Sequence, residues 1–246
     1  MHFCKSVPEK IMSENTPSSL DLYARIEDLI GVKEAAGKLY AHYLLALQDI
    51  PFGSLLDVGC GSGDFILSIQ NAFADVAFRG IDLSPQMAAR AREKGIDAEA
   101  VDLCDEVGRY DVITAVFDVL NYLTLPQLER FGKCLRGRLR DGGYFLCDVN
   151  TLYGFEEVAV GIFSAEDATR YVTIEGDFEA GEYRSEFVLF ERGSDGCWRR
   201  EDAQIRQYYH DTNRLDRALG LERVSTESVG LFGEEIDKNF IVYKKS

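Results

Sequence analysis

A glycine-rich turn constrains the fold of this chain more than any other feature of the sequence. An apolar run over residues 54–58 ends at Val58, and Gly59, Gly61 and Gly63 follow at alternate positions. Glycine adopts positive φ and lets a ligand approach the backbone closely, so it suits a reversal from a buried strand into a helix. At the carboxyl end of a strand in an open α/β sheet, such a turn lies where nucleotide-like ligands bind.

The spacing of these glycines disfavours a dinucleotide site. A dinucleotide fingerprint reads G-x-G-x-x-G, and Asp64 stands where its third glycine would be. Asp57, beside the turn, would also repel a pyrophosphate. Asp82 ends the next apolar run nineteen residues after Gly63 (82 − 63), close to the spacing of about 20 for an acid that binds ribose hydroxyls. The pattern favours a ligand with a ribose and no phosphate, and disfavours a nicotinamide-dependent oxidoreductase.

Strand and helix patterns alternate through the first 150 residues, which predicts a doubly wound parallel sheet with right-handed crossovers. Ser84 before Pro85 predicts one helix start, and Thr124 with Gln127 predicts a capping box at another. Predicted helices cover residues 20–48 with a break at Gly31, begin near residues 64 and 85, and run from 124 to about 139. Predicted strands cover residues 54–58, 77–81, a short segment ending at 101, 111–116 and 144–149.

Beyond residue 151 the pattern changes to strands separated by glycine-containing turns. Three strands, over residues 170–178, 182–192 and 198–209, predict an antiparallel β-meander. A helix over 212–219 and two strands over 222–229 and 240–244 complete the chain. We therefore expect an α/β domain of residues 20–150 and 211–246, a meander inserted at 151–210, and a disordered tail of residues 1–19.

The chain resembles the class I S-adenosylmethionine-dependent methyltransferases. Their first motif is an acid followed by G-x-G-x-G, here Asp57 with the three glycines. The resemblance covers residues 23–150 and 208–246. It implies a seven-stranded, mostly parallel sheet that ends in an antiparallel pair, S-adenosylmethionine as the cofactor, and a meander that covers a small-molecule acceptor. The alternative is a catalytically silent adenosylmethionine-binding module that acts through protein interactions.

The resemblance also implies where the cofactor binds. Asp102 and the Leu103 N–H would meet the adenine, and Phe117 would pack on the cofactor. Asp118 or Asn121 would face the methyl group, although both residues also suit a helix cap. Met87 would touch the adenine, although a helical methionine is more often core. The predicted cofactor residues are Tyr23, Tyr40, Asp57, Gly59, Cys60, Gly61, Gly63, Asp82, Leu83, Met87, Asp102, Leu103, Phe117 and Asp118.

The predicted catalytic residues are polar groups near the ends of strands. His210 and Asp148 are candidate bases or orienting groups, and a histidine titrates in the range that suits proton transfer. Asn121 follows strand four, and Tyr208 is the tyrosine of the Tyr-Tyr-His run that we expect to point inward. His210 equally suits a strand end or a helix cap, and an amine acceptor needs no strong base.

Composition excludes several other classes of function. The net charge of −15 disfavours nucleic acid as a partner. No apolar run approaches the ~20 residues of a membrane span, and residues 1–19 lack the apolar core of a signal peptide. The six cysteines form no metal-site spacing, so no metal is expected. We interpret them as reduced thiols of a cytoplasmic protein. The strand pattern leaves the oligomeric state open.

Overall fold

The computed structural model describes residue 15 and residues 17–246 of the chain. A seven-stranded sheet and a four-stranded antiparallel sheet form its framework. The helices are α1 (Pro17–Ala24), α2 (Val32–Gln48), α3 (Asp64–Ile69), α4 (Pro85–Glu93), α5 (Leu125–Arg138) and α6 (Thr212–Leu219). The strands are β1 (Ser54–Val58), β2 (Ala77–Asp82), β3 (Ala98–Ala100), β4 (Tyr110–Ala115), β5 (Leu139–Asn150), β6 (Gly161–Glu166), β7 (Arg170–Glu179), β8 (Glu182–Arg192), β9 (Trp198–Tyr208), β10 (Glu222–Val229) and β11 (Lys238–Lys244).

The larger sheet has the strand order β10-β11-β5-β4-β1-β2-β3. Strands β1 to β5 pair in parallel, and β11 pairs antiparallel with both β5 and β10. The last strand therefore lies between the fifth strand and β10. This arrangement confirms the predicted fold class, a doubly wound, mostly parallel seven-stranded sheet that ends in an antiparallel pair.

Helices cover both faces of this sheet, because neighbouring residues of each strand point to opposite sides. Leu56 and Phe145 belong to a buried cluster that includes residues of α5 and α6. Leu55 and Leu146 belong to a second cluster, with residues of α2 and α3. Each fully buried side chain of this type contributes about 1.5–3 kcal/mol, so the two clusters hold the sheet edge that carries the site.

The local signals for helix ends are present in the structure. The Ser84 hydroxyl accepts the N–H of Met87 at 3.1 Å at the start of α4. The Gln127 side chain accepts the N–H of Thr124 at 2.8 Å at the start of α5. The predicted N-cap and capping box are therefore confirmed. Among the described residues, no helix is both long and apolar enough to cross a membrane.

The inserted sheet has four strands, in the order β6-β7-β8-β9, where the sequence predicted three. The additional strand, β6, lies at the edge of the sheet with most of its residues exposed. It therefore lacks the alternation of buried and exposed positions that predicts a strand. A π-helical turn over Gly154–Val158 leads into β6.

Helix α1 and the turn that follows it lie against one face of the inserted sheet. Leu22 and Ile26 pack with Phe187 and other apolar residues of that face. Arg25 pairs with Glu191 at 2.7 Å, and two further ion pairs, Arg25–Glu201 and Arg170–Asp28, join the same two parts of the chain. Helix, turn and sheet together form one layer above the site.

Cys104 and Cys134 form a disulfide between the segment after β3 and helix α5, so the interpretation of all the cysteines as reduced thiols is wrong. No local pattern signals this pair, because 30 residues separate the two cysteines and only the tertiary fold brings them together. The predicted tail, residues 1–19, lies mostly outside the described residues, and its residues 17–19 begin α1.

Candidate active site

The glycine turn between β1 and α3 places each of its three glycines at positive φ. A Cβ at Gly59 would lie 2.8 Å from the Val119 side chain, and one at Gly63 would press on Ile96 at 3.0 Å. Gly61 differs, because a Cβ there would meet nothing within 4 Å. Gly59 and Gly63 thus allow close packing, while Gly61 leaves open space in front of the turn.

Asp82, at the end of β2, is fixed by the backbone around it. Its Oδ2 accepts the N–H of Gly61 at 2.9 Å and its Oδ1 accepts the N–H of Ser84 at 2.8 Å. Burial raises the pKa of this carboxyl, and the hydrogen bonds from Ser84 and Gly61 oppose that rise. Since each carboxylate oxygen has more than one lone pair, the fixed group can still accept hydroxyl donors from a ligand.

A cavity of about 260 Å³, here called the Asp82 cavity, opens beside this carboxylate. Its wall is mainly apolar, with Met87, Leu103 and Phe131 among the lining residues. Asp102 also lines it, and its Oδ1 accepts the N–H of Cys104 at 2.7 Å. A narrow apolar slot with a carboxylate at one side suits a flat ring joined to a polyhydroxyl group.

A second cavity, of about 490 Å³, lies in front of the glycines and is here called the glycine-turn cavity. Asp57 lines it and is almost fully buried. Burial, together with the nearby Asp82 charge, raises the pKa of Asp57 to about 7, although the Thr114 hydroxyl donates to it at 2.7 Å. The Tyr40 ring from α2 packs edge-on against Phe65 and Phe117 at the same cavity.

The third cavity, of about 500 Å³, lies beneath the inserted sheet and is here called the sheet cavity. Three aromatic residues, Tyr23, Phe117 and Tyr122, line all three cavities. Asp118 lines both the glycine-turn cavity and the sheet cavity. The three spaces therefore adjoin at one point, after the carboxyl end of β4.

The backbone at this junction is strained. Phe117 and Asp118 both have φ of 60°, a conformation that costs a residue other than glycine about 1–3 kcal/mol. The fully buried Asp148 side chain, from the end of β5, holds them in place. Its Oδ1 accepts the Phe117 N–H at 2.8 Å and its Oδ2 accepts the Asp118 N–H at 3.1 Å.

Asp148 also accepts the hydroxyl of Tyr43 at 2.7 Å, and burial raises its pKa to about 7. It does not line any of the three cavities. Its contacts shape the loop that carries Phe117 and Asp118, so its placement fits a positioning role.

Lys238, the first residue of β11, is a site residue that the sequence did not reveal. Its side chain is buried and its ammonium pairs with Asp118, lies 3.0 Å from the Asn150 Oδ1 and lies 3.4 Å from the Asp148 Oδ2. Burial lowers its pKa to about 7, while the adjacent carboxylates favour the charged form. No local motif marks it, because its partners lie some 90 to 120 residues away in the chain.

The other predicted catalytic residues lie behind the cavities. The Asn121 amide donates to the Tyr208 carbonyl at 2.8 Å and accepts the Asn150 N–H at 3.0 Å. Tyr208 lies on the opposite face of β9 from Gln207, which lines the sheet cavity. The His210 ring is buried against the Leu123 carbonyl at 2.8 Å, and burial lowers its pKa. Catalytic roles for these residues stay predictions, and nothing in their placement favours them.

The predicted cofactor residues, in contrast, come together. All of them except Gly63 line the Asp82 cavity or the glycine-turn cavity. Gly63 lies behind the turn, where it packs against Ala91 and Ile96. Tyr122 lines both of these cavities as well, although no role was predicted for it from the sequence. Their part in binding a ligand stays a prediction.

Residues 56–145 match the profile of a family described as "Methyltransferase domain". This part of the chain is similar to a methyltransferase domain. A curated relative, trans-aconitate 2-methyltransferase of Rhodococcus jostii (strain RHA1), is 34% identical over 62 residues, which is 25% of this chain. The match spans about a quarter (24%) of the length of that relative.

Solved structures resemble the methyltransferase domain together with its inserted sheet. An S-adenosylmethionine-dependent methyltransferase from Clostridium acetobutylicum ATCC 824 superposes with a TM-score of 0.75 at 19% identity, over 92% of this chain and 99% of that one. A sugar N-methyltransferase from Streptoalloteichus gives 0.71 at 18% identity, over 100% and 98%. These likenesses show the class I methyltransferase fold, so the resemblance stated from the sequence is confirmed.

Proposed function

We propose that this protein is an S-adenosylmethionine-dependent methyltransferase that acts on a small molecule by in-line displacement. The observation that carries the proposal is the junction of the three cavities at Tyr23, Phe117 and Tyr122. Two of the cavities have the groups expected for the cofactor. The third lies beneath a cover formed by the inserted sheet, helix α1 and the following turn, and suits an acceptor.

The residues present fit the cofactor. The Asp82 carboxylate, fixed by two backbone N–H groups, suits the ribose hydroxyls. The apolar slot beside Leu103, with Asp102 at its side, suits the adenine. The open space in front of Gly61 and the buried Asp57 suit the amino-acid portion, whose ammonium a carboxylate favours.

The cofactor supplies an activated methyl group on a sulfonium sulfur, and the protein's task is to hold the acceptor in line with it. Positioning of this kind can supply about 7–11 kcal/mol of the barrier. Phe117 and Asp118 stand at the junction between the two sides and are held there by Asp148. The layer of α1, its turn and the inserted sheet lies over the same place and contributes Tyr23 to the junction.

A small-molecule acceptor is supported by the size of the sheet cavity, about 500 Å³, and by the similar solved structures, whose names include an amino pentose methyltransferase and a sugar N-methyltransferase. That no nucleic acid, membrane or metal takes part stays a prediction from composition. A cytoplasmic location is also a proposal, and the Cys104–Cys134 disulfide weighs against it because cytosolic disulfides are rare.

Calorimetric titration with adenosylhomocysteine, with NADH as the parallel ligand, tests the proposal. We expect micromolar binding of adenosylhomocysteine alone. Gly61→Arg should abolish that binding by filling the open space in front of the turn. Gly142→Arg is the matched control, because Gly142 also has positive φ and open space around its Cβ but lies at the opposite end of β5 from the site.

Three outcomes would contradict the proposal. Binding of NADH instead would restore the oxidoreductase alternative, and failure of a folded sample to bind adenosylhomocysteine would remove the cofactor assignment. If the protein binds adenosylhomocysteine but transfers no methyl label to any of a broad panel of small acceptors, the result favours the alternative, a catalytically silent adenosylmethionine-binding module.

A further inference from the structure

The polar groups of the sheet cavity are divided between its two ends. At the junction with the glycine-turn cavity lie Asp118 and Lys238, beside the aromatic residues Tyr23 and Tyr122. The wall formed by the inserted sheet is mainly apolar, but it contains two polar side chains, Ser185 and Gln207. A ligand that fills this space must therefore match a charged end, an apolar middle and a polar wall.

The charged end carries a net negative charge. The acidic and basic side chains among the described lining residues are Asp118, Asp237 and Lys238, which is one ammonium against two carboxylates. The Asp237 carboxylate is already used, since it accepts the N–H groups of Leu231 and Phe232 at 2.7 Å each. An anionic ligand is repelled here and a cationic ligand is attracted.

Asp118 is the group that can meet such a cation. Its Oδ1 pairs with Lys238, and its Oδ2 forms no hydrogen bond within the described part of the chain. The ammonium of Lys238 is itself directed to Asp118, Asn150 and Asp148, so it is not available to a ligand. The aromatic rings of Tyr23, Phe117 and Tyr122 at the same junction add faces that favour a cation.

The polar wall also lacks a partner. The Ser185 hydroxyl is buried beside the Tyr183 hydroxyl, which donates its own proton to the Ala159 carbonyl at 3.0 Å. Among the described residues no hydrogen bond of ordinary geometry is formed by the Ser185 hydroxyl. A buried hydroxyl without a hydrogen bond destabilises the folded protein, and a ligand that bonds to it removes that cost. Gln207 faces the same cavity from β9, where its pairing partner on β8 is Tyr183, two residues before Ser185. The two side chains therefore lie close together on the sheet.

We propose, on the basis of the methyltransferase function above, that the acceptor is an amphipathic primary amine. Its ammonium is bound by the free oxygen of Asp118, its apolar body lies against Ile174, Phe187 and Ile205, and a hydroxyl group reaches Ser185 and Gln207. Asp118, predicted from the sequence as a cofactor residue, is on this proposal a residue that binds the acceptor. The bound ammonium gives one proton to the Asp118 carboxylate, and the lone pair freed on nitrogen forms the new bond to the methyl carbon. The bond from that carbon to the cofactor sulfur breaks, and its electron pair stays on the sulfur.

Four probes of similar size separate the two ends: tyramine, the neutral alcohol tyrosol, the anion 4-hydroxyphenylacetate, and phenethylamine, which lacks the distal hydroxyl. Each is titrated by calorimetry at millimolar concentration into the protein saturated with adenosylhomocysteine. A hydrogen bond to a charged group contributes about 1.5–3 kcal/mol, so we expect tyramine to bind about ten- to a hundred-fold more tightly than tyrosol. Phenethylamine should bind more weakly than tyramine, and the anion should not bind.

Two variants assign these preferences to residues. Asp118→Asn should remove the preference for tyramine over tyrosol, and asparagine tolerates the left-handed conformation at that position. Ser185→Ala should remove the preference for tyramine over phenethylamine while leaving the preference over tyrosol intact. A far-ultraviolet circular dichroism spectrum that matches the spectrum of the unmodified protein shows that each variant is folded.

The outcomes separate this inference from the proposed function. A protein that binds adenosylhomocysteine but prefers tyrosol or the anion, or binds none of the four probes, overturns the amine assignment and leaves the methyltransferase proposal standing. A preference for tyramine that survives Asp118→Asn overturns the role of Asp118. Loss of adenosylhomocysteine binding by the unmodified protein would remove the proposed function itself.

Discussion

The disulfide between Cys104 and Cys134 gives a prediction whose size can be worked out from the chain. The bond closes a loop across a sequence separation of 30 residues. In the chain-entropy description, a cross-link over a loop of this length stabilises the folded state by about 3–4 kcal/mol. Reduction of the bond should therefore lower the free energy of unfolding by that amount.

The same bond lies next to the predicted adenine-binding residues. Cys104 directly follows Leu103, and its N–H is bonded to Asp102. Reduction removes the covalent link between this segment and helix α5 and leaves weaker polar contacts, such as the hydrogen bond from Arg138 to the Cys104 carbonyl. We therefore expect affinity for adenosylhomocysteine to fall together with stability. Other parts of the site, such as the Asp82 contacts with Gly61 and Ser84, do not depend on the bond.

Urea denaturation followed by circular dichroism, with and without dithiothreitol, measures the stability difference. Cys134→Ser is the control, because its unfolding should be the same under both conditions and should match the reduced protein. Equal unfolding midpoints for the oxidised and reduced protein would refute the reasoning. So would alkylation of both Cys104 and Cys134 in the native protein without reductant.

Two further substitutions test buried charges. Asp57→Asn should stabilise the protein, and the gain should be about 2–3 kcal/mol larger at about pH 8 than at about pH 5. The raised pKa of Asp57 means that the folded state loses stability as the pH rises towards 7, because the carboxyl ionises more readily in the unfolded chain. Denaturation at the two pH values measures the difference, and a pH-independent effect would contradict the prediction. Lys238→Met should lower the free energy of unfolding by about 3–5 kcal/mol, because it leaves Asp118 and Asp148 without their cation. Lys133→Met, at an exposed position of α5, is the control in the same assay, and an equal effect of the two lysine substitutions would rule out a structural role for the buried ion pairs.

The features predicted well are those with a local cause. Positive φ at Gly59, Gly61 and Gly63 follows from the need to reverse the chain after a buried strand. The position of Asp82 follows from its place at the end of the next strand. Alternating strands and helices leave few topologies open, so the parallel sheet was predictable from the pattern. Its antiparallel end was predicted from the resemblance to the class I methyltransferases.

The features missed depend on contacts between distant parts of the chain. Lys238 becomes a site residue only because β11 pairs with β5, which brings it beside Asn150. Strand β6 is exposed at an edge and so carries no burial pattern. Tyr208 was predicted to point inward, but the residue of β9 that lines the sheet cavity is its neighbour Gln207. Neighbouring residues of a strand point to opposite faces, so a difference of one residue exchanges the two faces.

The three aromatic residues shared by the cavities couple the binding of the cofactor to the binding of the acceptor. Tyr23, Phe117 and Tyr122 form a common wall, so a ligand on either side changes the surface that the other ligand meets. Any change in acceptor affinity caused by the cofactor must then be matched by an equal change in cofactor affinity caused by the acceptor, because binding linkage is reciprocal. A measurement of cofactor affinity with and without the acceptor therefore also gives the effect of the cofactor on acceptor affinity.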